Sequence, residues 1–171
     1  MNQDKRKESP AVQREAPRLA DGKAMRIAGL SGRFTMETMS DIPAQWPRFA
    51  PYIGKIPGQV GRVAYGVCFH ASKGATGVEY LCGVEVSTAA GLPDGFSVAS
   101  IPAQRYAVFR HHEHVSRLCQ TLHAISSWLS QSGLEAAPID AGAPDFFERY
   151  GEEFDPRSGM GGIEVWVPVK G

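Results

Sequence analysis

The segment Ile163-Glu164-Val165-Trp166-Val167-Pro168 places a carboxylate two residues from an indole. On an extended strand, side chains alternate between faces. Ile163, Val165 and Val167 then share one face, and Glu164 and Trp166 share the other. The first face suits burial beneath a helix. The second can hold a lipophilic cation, the ring supplying cation–π and dispersion contact and the carboxylate supplying charge. A solvent-exposed Glu beside a surface Trp is the plainer reading of the same pattern. Glu85 is a second acid of this kind, in Gly83-Val84-Glu85-Val86. A hairpin centred on a turn at 72–77 sets Tyr65 opposite Glu85 and Cys68 opposite Cys82, as an ordinary cross-strand pair or as part of the same site.

Other chemistry is weaker. His111-His112-Glu113-His114 has the composition of a metal site. Adjacent histidines on an extended chain point to opposite faces, and no second cluster at ligand spacing follows. We read a polar helix entry and no metal. Cys68, Cys82 and Cys119 form no CxxC pair and are odd in number, which fits free thiols in a reducing compartment. Gly159-Met160-Gly161-Gly162 precedes a strand and lacks GxGxxG spacing. Neither a Walker loop nor a GxSxG elbow occurs. No cofactor is implied.

The elements that position these residues follow from periodicity. The 171 residues suffice for one core; 43% are apolar and 21% charged, as in ordinary globular proteins. Lys+Arg and Asp+Glu are equal at 18 each, against a surface that coats nucleic acid. The polar N-terminus is no secretory signal, and no apolar run reaches the roughly 20 residues that span a bilayer. The expected location is cytoplasmic, with no membrane partner. Residues 1–23 read as a flexible, charged tail and 24–171 as a single domain.

Within that domain we expect strands at Met25–Phe34, Gly61–His70, Glu79–Ser87, Gln104–Arg110, Phe146–Tyr150 and Ile163–Val169. A short helix with Asp41 as cap carries Trp46, Phe49 and Ile53. A longer one, His114–Ser130, carries the stripe Val115, Leu118, Cys119, Leu122, Ile125 and Leu129, and Gly133 stops it. Arg26-Ile27-Ala28 recurs as Arg105-Tyr106-Ala107, and Gly83-Val84-Glu85-Val86 as Gly162-Ile163-Glu164-Val165, both offset by 79 residues. The expected fold is therefore α+β: two pseudo-symmetric β-α-β-β units, about 24–90 and 101–171, with antiparallel sheet and a central ligand cleft.

Several segments carry a family resemblance: Ile101-Pro102-Ala103, Tyr106-Ala107-Val108-Phe109, Trp128-Leu129, Phe147-Glu148-Arg149-Tyr150, Phe154-Asp155-Pro156 and the 163–168 segment. Tyr65-Gly66-Val67-Cys68 and Tyr80-Leu81-Cys82-Gly83-Val84-Glu85-Val86 match its first half. The chain resembles the gyrase-inhibitor-like family, which includes effector-binding domains of multidrug-responsive AraC-type and MerR-type regulators. The resemblance covers about residues 25–170 and implies a ligand cleft with Glu164 facing a cationic lipophilic ligand. Many members have a glycine after the histidine that follows the fourth strand; this chain has His111-His112-Glu113-His114. The expected function is a stand-alone, effector-type binder of a small lipophilic or cationic molecule, without specific DNA binding by this chain alone. Glu164, Trp166, Tyr65 and Glu85 would form the site, with Trp46 and Tyr150 at its rim. Two alternatives are a hydrolase of small cyclopropane-containing electrophiles using Glu164, and a protein that touches gyrase or a regulator.

Overall fold

The computed structural model describes residues 16–35, 37–70, 77–135, 144–155 and 157–170. The turn expected at 72–77 falls outside them except for Gly77, as do residues 1–15 of the expected tail. Eight strands form one open antiparallel sheet: β1 (Arg18–Gly22), β2 (Met25–Phe34), β3 (Gln59–His70), β4 (Val78–Val86), β5 (Ser97–Ile101), β6 (Gln104–His111), β7 (Phe146–Tyr150) and β8 (Ile163–Pro168). Their order across the sheet is β1-β6-β8-β7-β3-β4-β2-β5. Two helices follow β2 and β6. The first, α1 (Gln45–Phe49), is short and flanked by 3-10 turns, because Pro47 and Pro51 cannot donate the hydrogen bonds of a longer helix. The second, α2 (Leu118–Ser132), ends at Gly133, whose φ of 78° is a left-handed cap that glycine adopts without steric cost.

Three expectations change. Arg18–Gly22, assigned to the tail, is a strand paired with β6 from Arg18↔Val108 to Gly22↔Gln104. The expected cap Asp41 lies inside the 3-10 turn Met39–Ala44, which starts after Thr38. The β3–β4 register differs by two residues: Tyr65 faces Gly83 and Cys68 faces Tyr80, so the two thiols are not opposed. A shift of two keeps every side chain on its expected face, since faces alternate with period two.

Both faces of the sheet bury apolar side chains. Trp46, Phe49 and Ile53 of the α1 region, with Leu118, Leu122 and Ile125 of α2, pack on Ala28, Cys82, Val84, Ala107, Phe109, Ile163 and Val165. The opposite face gathers Ile27, Tyr65, Val67, Leu81, Tyr106, Val108 and Phe147, with Ile101 of β5 and Ala20 of β1 beside them and no helical residue. His111 ties β6 to the start of α2: its Nε2 donates to the His114 carbonyl at 2.8 Å, and its Nδ1 accepts from the Thr121 hydroxyl at 2.6 Å. His114 in turn accepts from the Ser116 amide, capping the turn that leads into α2.

The helix face also buries a carboxyl. Glu148 Oε1 accepts from Tyr80 Oη at 2.6 Å and from Tyr150 Oη at 2.9 Å. Trp46 Nε1 donates to Tyr80 Oη at 3.2 Å, and Gln45 Nε2 donates to the Leu30 and Tyr80 carbonyls. Gly66 faces Glu148 across the β3–β7 ladder, and a Cβ there would collide with the Tyr80 hydroxyl and the Glu148 carboxyl. Burial pushes Glu148 up to about 7 and outweighs the two hydroxyls, which pull it down. Burial, with Glu148 nearby, likewise pushes Cys68 up to about 12 and raises Cys82.

Two predictions follow from this packing. Between its ordinary pKa and about 7, folded Glu148 keeps a proton that the unfolded chain has released. Its contribution to stability is therefore full below about pH 4.5 and falls as pH rises through about 7, by a total on the order of 3 kcal/mol. Urea unfolding of the wild type should weaken between pH 5 and 8, and Glu148→Gln should flatten that decline; identical profiles would mean the carboxyl is not protonated in the fold. Separately, a Cβ on Gly29 would strike the backbone carbonyl of Cys82 where β2 and β4 approach at Gly29↔Gly83. Gly29→Ala should cost more than about 2 kcal/mol in the same assay, whereas Gly151→Ala, whose Cβ would find only ordinary contacts, should cost under about 1 kcal/mol.

Candidate functional site

The face opposite the helices carries the candidate site. β8 sends Ile163 and Val165 into the helix-side core and turns Glu164 and Trp166 to the other face, as strand alternation requires. The β7–β8 ladder sets Phe147 beside Trp166 and Arg149 beside Glu164. The Trp166 and Phe147 rings stack at 5.4 Å and 17°. Tyr106 from β6 meets both edge-on, at 5.3 Å to Phe147 and 5.4 Å to Trp166. Tyr65 from β3 meets Phe147 edge-on at 5.7 Å. These separations and angles are those that aromatic quadrupoles favour. The expected walls Trp166 and Tyr65 are thus on one surface, joined through Phe147.

Glu164 is at the charged end of this surface. Arg18 Nη1 of β1 donates to its Oε2 at 2.6 Å, and Trp166 Nε1 donates to Oε1 at 3.3 Å. Arg149 Nη1 is 3.5 Å from Oε1. The Arg18 guanidinium also lies over the Trp166 ring, 5.6 Å from its centroid. Burial alone would raise the Glu164 pKa, but the Arg18 hydrogen bond and charge, the indole and Arg149 together hold it below its ordinary value. The carboxyl is therefore anionic at neutral pH. Glu85 faces the same side of the sheet, and Lys23 Nζ lies 3.0 Å from its Oε1. Burial raises the Tyr65 pKa while Arg149, which hydrogen-bonds it, lowers it, so its phenol stays neutral.

Trp46 and Tyr150, expected at the rim, are on the opposite face. They touch each other at 5.0 Å and belong to the helix-side core around Glu148. Tyr150 follows Arg149 by one residue, so alternation along β7 separates it from the site. The sequence reading missed Tyr106, Phe147, Arg149 and Arg18. Phe147 and Arg149 were accessible from the parity of β7 alone. Arg18 was not, because β1 was not recognised as a strand. Cys68 and Cys82 lie on the helix face, away from Glu164.

The aromatic surface is packed shut: Tyr65 is 8% exposed, Phe147 2% and Tyr106 1%. Open depressions lie elsewhere. One, about 520 Å³, is bounded by Leu19, Trp128 and Leu134, and another, about 400 Å³, by Arg62, Tyr150 and Phe154. Neither reaches Glu164. Among the described residues there is no group of three or more His, Cys, Asp or Glu placed to hold a metal ion. No helix among them is long and apolar enough to cross a membrane.

Comparison with known proteins converges on one family. The GyrI-like small molecule binding domain profile matches residues 16–170. The transcriptional regulator BrlR of Pseudomonas aeruginosa is 29% identical over 161 residues, covering 89% of this chain and 54% of BrlR. The chain thus spans about half the length of that relative. Among solved structures, SAV2435 bound to tetraphenylphosphonium aligns over 92% of this chain and 95% of its own, with a TM-score of 0.70 and 19% identity. The C-terminal domain of EcmrR aligns over 90% and 96%, with a TM-score of 0.58 and 14% identity. The profile match spans nearly all of the described fold, and on that ground the chain belongs to the GyrI-like small-molecule-binding domain family.

Proposed function

We propose that this protein binds a lipophilic, cationic small molecule on the sheet face opposite the helices. Glu164 supplies the counter-charge, Trp166, Phe147, Tyr106 and Tyr65 supply apolar and cation–π contact, and Glu85 is a second acid on the same face. One observation carries the reading: the site already holds a cation. The Arg18 guanidinium is bonded to the Glu164 carboxylate and lies over the Trp166 ring, in the arrangement a ligand cation would adopt. SAV2435, which has a similar fold, is bound to tetraphenylphosphonium, a lipophilic cation, and this supports the assignment.

Glu164 is better suited to binding than to turnover. A general acid or base works best with a pKa near the working pH, whereas Arg18 and Arg149 hold this carboxyl low. A cytoplasmic, effector-sensing role fits the regulator relative. The formal net charge of zero gives this chain no general attraction for duplex DNA. We also read the sheet as two related halves. Its strand order is the same from either end when β1, β6, β8 and β7 are matched with β5, β2, β4 and β3. The halves have diverged: Ile27 faces Glu85, but of their counterparts Tyr106 faces Pro168 and Glu164 faces Arg110.

The test is a titration with tetraphenylphosphonium and with neutral triphenylphosphine oxide, followed by tryptophan fluorescence. The cation should bind more tightly. Glu164→Gln should weaken the cation by about 1–3 kcal/mol, the range for losing a charge-assisted partner, and leave the neutral compound nearly unchanged. Equal losses for both compounds would show that Glu164 acts through packing, and the counter-charge role would fall.

A further inference from the structure

The N-terminal strand brings a cation to each of Glu164 and Glu85 on the proposed ligand face. Arg18 is bonded to Glu164, and Lys23, just past the end of β1, is paired with Glu85. Alternation along β1 turns Arg18 and Ala20 toward the aromatic cluster, where Ala20 packs, and Leu19 away from it. One short segment therefore covers the charged end of the site and neutralises it.

That segment is at one of the two edges of the sheet. β1 is an edge strand of five residues whose only strand neighbour among the described residues is β6. The Arg18 side chain remains 48% exposed and that of Lys23 73%, whereas Glu164 and Glu85 are 13% and 12% exposed. Short, exposed edge elements occupy the low-stability end of a fold and open without global unfolding. An exposed ion pair is also worth little, because water screens it. The acids are fixed in the sheet, and the cations lie on the part that can leave.

We propose that β1 is a displaceable cover and that Arg18 is a built-in competitor, so that a ligand binds by evicting this guanidinium from Glu164 and Trp166. The proposal rests on the cation reading above and adds what regulates that site. Eviction sets specificity. A small hydrated cation gains from Glu164 only what Arg18 already supplies, and does not displace it. A lipophilic cation also removes its own apolar surface from water against the partly buried Trp166 ring, which Arg18 does not match. Eviction also reports occupancy, since the ligand frees β1 from β6. The free protein's affinity is lowered by the fraction of molecules in which the cover is closed.

Two measurements on the full chain test this. In the first, wild type, Arg18→Gln and Arg18→Gln/Glu164→Gln are titrated with tetraphenylphosphonium. Arg18→Gln should bind about tenfold more tightly than wild type, the scale of one exposed ion pair plus one cation–π contact, and the double variant should lose the gain. In the second, hydrogen exchange is followed at the amides of residues 18–22. Saturating tetraphenylphosphonium should speed it in the wild type. Unchanged or weaker binding by Arg18→Gln, or slower exchange in β1 on binding, would overturn the cover while leaving the cation reading intact. Absence of tetraphenylphosphonium binding to either protein would overturn the cation reading and the eviction built on it.

Discussion

The two halves of the sheet are joined at one antiparallel ladder, β3 against β7, running from Ala64↔Tyr150 to Cys68↔Phe146. Everything on either face is referred to that seam. Its odd-numbered residues, Tyr65, Val67, Phe147 and Arg149, build the middle of the proposed ligand face. Its even-numbered residues, Gly66, Glu148 and Tyr150, build the buried carboxyl network under the helices. Because strand parity is rigid, one ladder fixes both the aromatic surface and the polar core, and a slip of one residue would exchange them.

The core side of the seam explains how a carboxyl can lie there. A buried acid must be neutral or well partnered. Glu148 is given two phenol donors and a raised pKa, and Gly66 leaves the space in which Tyr80 reaches across to it. The ligand side uses the opposite device. Glu164 is kept ionised by guanidinium groups. Two glutamates on adjacent strands thus have their pKa values moved in opposite directions, Glu148 up to about 7 by burial and Glu164 below its ordinary value by its guanidinium partners.

Much of this was legible in the residues. The alternation of β8 gave the faces of Glu164 and Trp166, and the boundaries of β2 and β7 followed from apolar patterning. What was not legible has physical causes. β1 and β5 are edge strands with mixed, half-polar sequences, Arg-Leu-Ala-Asp-Gly and Ser-Val-Ala-Ser-Ile, so neither shows the apolar periodicity of a buried strand. Glutamate is a residue type that is mostly exposed, so its type alone does not mark Glu148 as buried. The signal of burial was local: Phe146 and Tyr150 flank it at two-residue spacing, on a face that must then be buried. Trp46 and Tyr150, expected at the rim, lie on the helix side, because an aromatic in a helix or strand shows its type but not, without register, its side of the sheet.

The cysteines add a last consequence. Cys68 and Cys82 lie under the helices, 6% and 0% exposed, and burial keeps both protonated. A thiol alkylates only as its thiolate, and only where a reagent can reach it. In the native state these two sulfurs are chemically silent toward electrophiles. Their alkylation must pass through molecules in which the α1 region has lifted off the sheet, so the rate of mass gain at these two positions is a clock for opening of that part of the core.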